Sequence, residues 1–157
     1  MIPHRVLLGF DFGLRCIGVA VGQTISCTAE PLVVLACPVK GKAPWEQLDA
    51  LVKLWRPDGM VVGVPVNVSG EEQPITRAAR RFVRALAARY PVPIYEADER
   101  YTTIEARREF RQNDRRSKRS NNERLDSLAA VVILEMWLRE YERKANSGTE
   151  SNQDIEA

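Results

Sequence analysis

The sequence predicts an α/β domain built on a central mixed five-stranded sheet flanked by helices. The order of apolar segments reads as three consecutive strands, then helix, strand, helix, strand, helix. An apolar fraction of 45% against 28% charged residues is that of an ordinary globular chain. A domain of 157 residues buries roughly 70% of its unfolded surface, so it needs no disulfide or metal to hold it together.

The elements follow in order. Val6 to Phe10 is a continuous apolar run, Gly13 to Arg15 a turn, and Ile17 to Val21 a second short strand, which together predict a hairpin with Asp11 at its turn end. Leu32 to Ala36 is a third strand, closed by the Gly41, Lys42, Pro44 loop. Leu48, Leu51, Val52 and Trp55 then mark a helix from about Trp45 to Trp55. Gly59 to Val64 is a buried strand stopped by Pro65, and a long helix begins near Pro74. Its Ile75, Ala79, Phe82, Val83 and Leu86 share one face, while Arg77, Arg80, Arg81 and Arg84 form a basic stripe on another.

Val92 to Ala97 is the fifth strand, and Thr102 with Glu105 has capping-box spacing for a short helix. From Arg111 to Asn122 five basic residues stand against Asp114 with nothing apolar to bury, which predicts a mobile basic loop. Ser120 and Glu123 repeat the capping-box spacing ahead of a last helix reaching about Tyr141. Residues 1–142 are therefore read as one domain and residues 143–157 as a disordered polar tail, too poor in apolar surface to offset its ordering entropy.

Composition excludes several classes of chemistry. The formal charge is only +2, so an argument for nucleic acid has to rest on where the charges sit. Cys16, Cys27 and Cys37 make no CxxC pair and are expected as small buried apolar residues. The sole histidine, His4, is expected at the surface, which removes Ser-His, Cys-His and multi-histidine metal arrangements. No signal-peptide pattern opens the chain and no run of ~20 apolar residues crosses it, so a cytoplasmic protein away from membranes is expected.

Three acidic positions carry the chemistry. Asp11 follows an apolar strand and precedes Gly13 and Gly18; it is either a turn-capping residue or a carboxylate at a site. Asp98 and Glu99 close the fifth strand, where neighbouring side chains alternate, so one of the two faces a site; Glu99 is favoured, against a reading of both as solvated loop charges. Asp126 lies one turn before Ala129 and Ala130 on the last helix, where it either binds a cation or complements the helix dipole. Converging at one sheet edge, Asp11, Glu99 and Asp126 would form a catalytic set of hard oxygen ligands suited to Mg²⁺ or Mn²⁺. Two such ions serve in-line phosphodiester hydrolysis without a histidine or a covalent nucleophile. Arg15 and Arg100 flank the acids and either hold phosphate oxygens or pair with the acids. Arg115, Arg116, Lys118 and Arg119 of the basic loop are the expected substrate contacts.

Four ordered blocks carry a family likeness: Asp11 to Ala20 as Asp-x-Gly-x-x-Arg-x-Gly-Val-Ala, Gly63-Val-Pro65, Asp98-Glu-Arg-Tyr-Thr-Thr103 with Ala106, and Asp126-Ser-Leu-Ala-Ala130. Over residues 5 to 140 the chain resembles the YqgF (RuvX) family, bacterial RNase H-like proteins described as pre-16S ribosomal RNA nucleases or Holliday junction resolvases. The resemblance implies an RNase H-like fold, Asp11, Glu99 and Asp126 as metal-binding catalytic acids, and 5′-end processing of precursor 16S rRNA during ribosome biogenesis. The expected partners are pre-rRNA or branched DNA and a ribosomal particle, with the protein a monomer or homodimer. At Val68-Ser69-Gly70 the chain departs from the family, which often carries an acid before the glycine. A Holliday junction resolvase and a non-catalytic RNA-binding assembly factor remain alternatives, while an actin-like ATPase would need a second large domain and glycine-rich phosphate loops.

Overall fold

The computed structural model describes residues 5–65, 73–98 and 120–156, with the backbone alone at 98, 120–126 and 147–156. Five strands, β1 (Val6–Phe12), β2 (Cys16–Gln23), β3 (Thr28–Ala36), β4 (Gly59–Val64) and β5 (Ile94–Asp98), form one sheet in the order β3-β2-β1-β4-β5. β2 runs antiparallel to both β1 and β3, whereas β1, β4 and β5 are mutually parallel. The parallel pairs require crossovers, made after β3 by α1 (Trp45–Trp55) and after β4 by α2 (Pro74–Arg89). The last helix, α3, spans Ser120–Glu156. This is the mixed five-stranded sheet the element order predicts.

The pleat sorts the residues of each strand between two faces. On one, Leu8, Phe10, Phe12, Ile17, Val19, Met60 and Val62 pack with Leu48 of α1 and Ala79, Phe82 and Leu86 of α2. The other face puts Leu7, Ala20 and Val61 against Ala130, Ile133, Leu134 and Leu138 of α3. α1 and α2 are tied by Asp49, which accepts hydrogen bonds from Arg89 Nε at 2.8 Å and from the Tyr90 hydroxyl at 2.6 Å. The Arg89 guanidinium also lies 5.1 Å from the Trp45 ring centroid.

Glycine decides how closely α3 lies on the sheet. A Cβ on Gly9 of β1 would stand 2.8 Å from Leu134 Cβ and 3.3 Å from the Ala130 carbonyl oxygen, and one on Gly22 of β2 would stand 2.8 Å from Leu134 Cδ2. With Ala20 beside Gly9 in the ladder, these small residues make the trough that receives Leu134.

Several elements differ from expectation. β3 begins at Thr28 instead of Leu32, because an edge strand tolerates the exposed Glu30 and the non-donating Pro31; the register shifts there, opposite Val19 and Ala20. The last helix starts at Ser120, where the capping-box spacing put it, but passes the predicted stop near Tyr141 to reach Glu156. Once a helix is nucleated on a packed stem, each further residue adds a hydrogen bond without a new nucleation cost, so a polar sequence can continue it. Cys16, Cys27 and Cys37 form no disulfide and are partly buried, short of the full burial expected. Cys27 sits at φ 52° in the turn after β2 and its thiol donates to Glu142 Oε2 at 3.1 Å; burial first, then that hydrogen bond, push its pKa up. His4, the Thr102–Glu105 capping box, Val68-Ser69-Gly70 and residues 111–119 lie outside the described residues.

Candidate active site

Asp11 is the sixth residue of β1 and is 5% exposed. It shares the α3 face of the sheet with Leu7 and Gly9, because side chains two apart on a strand point the same way. Its ladder partners are both glycines, Gly18 on β2 and Gly63 on β4, and Gly63 is paired in turn with Ala97 of β5. The carboxylate therefore stands in a row Gly18, Asp11, Gly63, Ala97 whose other members project almost nothing. A buried carboxylate is costly unless donors or cations meet it. The turn beyond it is tight for a visible reason: a Cβ on Gly13 would lie 2.6 Å from the Cys16 carbonyl oxygen.

Toward the same edge run the strand end that precedes Glu99 and backbone position 126 of α3. β1, β4 and β5 are parallel and adjacent, so their C-terminal ends open together, the usual place for a site in sheets of this kind. β5 ends at Asp98, level with Val64 and one position past the Asp11 row. Glu99 follows directly and lies outside the described residues, as do Arg100, Arg115, Arg116, Lys118 and Arg119. Backbone position 126 is in α3, four residues before Ala130, whose carbonyl oxygen faces Gly9. Stepping two residues along β1, from Gly9 to Asp11, advances about 6.6 Å. Stepping one turn back along α3, from 130 to 126, covers about 6 Å. The glycine-seated helix thus brings position 126 to the level of Asp11.

Arg15 is exposed at the hairpin turn on this edge. Its carbonyl oxygen accepts the Cys37 N–H at 2.8 Å, and that of Leu14 accepts the Gly41 N–H at 2.8 Å, so the turn is braced by the segment after β3. Among the described residues no group of three or more His, Cys, Asp or Glu side chains gathers in a metal-binding cluster. Two of the three expected ligands, Glu99 and the Asp126 side chain, fall outside that description. The donor set itself, carboxylates without imidazole or thiolate, fits a hard divalent cation. Sequence reasoning missed Gly9 and Gly22 and took Gly63 only as part of a family block, although glycines recurring within apolar strands are a signal of close approach. It also missed Lys42 and Trp45 at the opposite side of the same edge, for which the sequence holds no local signal.

The fold is of the RNase H-like class. *Thermus thermophilus* RuvC in complex with a Holliday junction substrate aligns with a TM-score of 0.51 at 17% identity, over 88% of this chain and 96% of RuvC. A family model described as "RuvX: Holliday junction resolvase" matches residues 5–140, and the chain belongs to that family. A *Nitrosococcus oceani* protein named "Putative pre-16S rRNA nuclease" is 44% identical over 138 residues, 88% of this chain and 89% of its own length. One of the same name from *Coxiella burnetii* is 42% identical over 141 residues, 90% of this chain and 97% of its own. No helix among the described residues is long and apolar enough to cross a membrane.

Proposed function

We propose that the protein is a divalent-metal-dependent endonuclease that hydrolyses phosphodiester bonds in precursor 16S rRNA, at the 5′ end, in the cytoplasm. The observation that carries the reading is the buried Asp11 carboxylate between Gly18 and Gly63, at the edge where β5 ends just before Glu99 and α3 carries backbone position 126. The names of the relatives support the choice of substrate. Asp11, Glu99 and Asp126 would hold Mg²⁺ or Mn²⁺. Bound there, such ions would lower the pKa of water and stabilise the leaving oxygen. The chain's own part is to hold Asp11 on a strand hydrogen-bonded on both sides, so that its carboxylate needs no reorganisation, and to offer Arg15 and Arg100 to phosphate oxygens.

The test is incubation of the protein with end-labelled precursor rRNA and either metal, beside Asp11→Asn and a chelator. Cleavage lost in both controls is the expected result; equal cutting by Asp11→Asn would refute the assignment. A second reading keeps the chemistry and changes the substrate to a four-way DNA junction, favoured by the description of the family model and by the RuvC-like fold. Symmetric junction cleavage calls for a dimer, so junction cutting without RNA cutting, by a protein of twice the monomer mass, would select it. A non-catalytic RNA-binding assembly factor would bind RNA equally well as wild type and as Asp11→Asn, with neither cutting.

A further inference from the structure

Phe12 follows Asp11 in β1, so its side chain points to the opposite face of the sheet at the same edge. There a cleft of about 380 Å³ opens between the segment leading into α1 and the flank of α2. This volume lies in the ~300–1,000 Å³ range of small-ligand sites. Its floor is aromatic: the Phe12 and Phe82 rings are 5.2 Å apart, and Trp45 is 6.0 Å from Phe82. Its rim is basic, formed by the exposed Lys42 and Arg81, and among the described residues no acidic side chain lines it. Arg77 and Arg84, both exposed, stand one turn to either side of Arg81 on α2. Within the described residues Lys42, Arg77, Arg81 and Arg84 make no ion pair. α2 follows β4 directly and its Thr76 hydroxyl donates to the Pro65 carbonyl, so the arginine row starts at the Asp11 edge and runs away from it.

We propose that this cleft binds an unpaired nucleotide of the nucleic acid strand that the nuclease cuts. The base rests against the partly exposed Trp45, over the buried rings of Phe12 and Phe82. Lys42 and Arg81 hold its phosphate, and Arg77 and Arg84 continue the phosphate track along α2. A π-surface beneath paired cations is the chemistry that captures single-stranded nucleic acid without regard to sequence. Arg77, Arg81 and Arg84 are like charges on one flank of a helix and repel one another, a cost that a bound polyanion removes. The inference rests on the nuclease reading.

The test measures binding of a labelled single-stranded RNA to the full chain across roughly 50 to 200 mM salt, with chelator present to prevent cleavage. Each phosphate neutralised on a single strand adds about 0.7 to the slope of log affinity against log salt, so Lys42→Ala with Arg81→Ala, which frees the one phosphate they share, should lower it by about 0.7. Lys53→Ala with Arg143→Ala removes the same net charge and should leave the slope unchanged. Lys42→Arg with Arg81→Lys should retain it, which separates lost contacts from a lost fold. Trp45→Leu should weaken binding roughly tenfold at constant slope. An unchanged slope in the first pair, or an equal fall in the Lys53 and Arg143 pair, overturns the cleft while metal-dependent cutting by wild type keeps the nuclease reading intact. Wild type that neither binds nor cuts nucleic acid removes that reading and the cleft with it.

Discussion

Substituting Gly9 by alanine tests the seating of α3, and with it the placement of position 126. The new Cβ would lie 2.8 Å from Leu134 Cβ, about 1 Å inside ordinary carbon contact. Neither neighbour can swing aside: Leu134 Cβ and the Ala130 carbonyl, at 3.3 Å, are fixed to the helix backbone, so the whole helix has to lift. Overpacking of this kind costs about 1–3 kcal/mol, offset by roughly 0.5–1 kcal/mol because alanine loses less backbone entropy on folding. A net loss of about 1–2 kcal/mol lowers Tm by roughly 2–8 °C in a chain of this size. The activity should fall further than the stability, since a displacement near 1 Å between groups that act together costs about 100-fold in rate. Thermal unfolding followed at 222 nm and cleavage measured well below Tm give the two numbers. Gly22→Ala sharpens the comparison, because its contacts are the far ends of Leu134 and Leu138, and Leu134→Ala should relieve it while failing to relieve Gly9→Ala. A Gly9→Ala protein melting within about a degree of wild type would refute the close seating.

Asp11→Asn should fold and bind nucleic acid, yet lose cleavage by more than the 10–100-fold typical of groups that only support a metal ligand, checked by single-turnover assay. Thr76→Val should lower Tm by several degrees: Thr76 is fully buried and its hydroxyl serves both the Pro65 carbonyl and, at 3.1 Å, the Gln73 N–H, so its loss strands two backbone groups at about 1–3 kcal/mol. The hydrogen bonds from Arg89 and Tyr90 hold the Asp49 carboxyl down at about 2, against its ordinary 3.8. Its folded pKa is depressed, so its stabilisation is complete above the unfolded value and disappears as pH falls toward 2. Asp49→Asn should therefore flatten the acid limb of Tm against pH, modestly because Asp49 and Arg89 are 44% and 43% exposed; an unaltered limb would refute the linkage.

Much of the fold was legible because strong local signals agree. Val6 to Phe10 and Gly59 to Val64 are unbroken apolar runs, and both became central strands covered on two faces. Trp45 to Trp55 and the start at Pro74 were marked by helical period and proline chemistry, and both appear at those residues. Signals failed where local preference is weak. The edge strand β3 gains its first four residues by pairing with β2, despite an exposed glutamate and a proline. The polar end of α3 is helical by continuation from its packed stem. Cys27 was misjudged because its partly buried place beside Glu142 depends on a neighbour 115 residues away.

For the site, the sequence by itself determined which residue types are available: carboxylates at strand ends and a helix start, almost no histidine, and arginines gathered on one helix. These are chemical identities and local periods, which a chain carries before it folds. Only the tertiary structure decided that Asp11 is buried between Gly18 and Gly63, that β4 and β5 end beside it, and that α3 sits deep enough on Gly9 to bring position 126 level with it. It alone placed Lys42 and Arg81 on one cleft. Strand order and close approach arise from contacts between residues far apart in sequence, set by packing the whole sheet against its helices at once, and no local window of the chain encodes them.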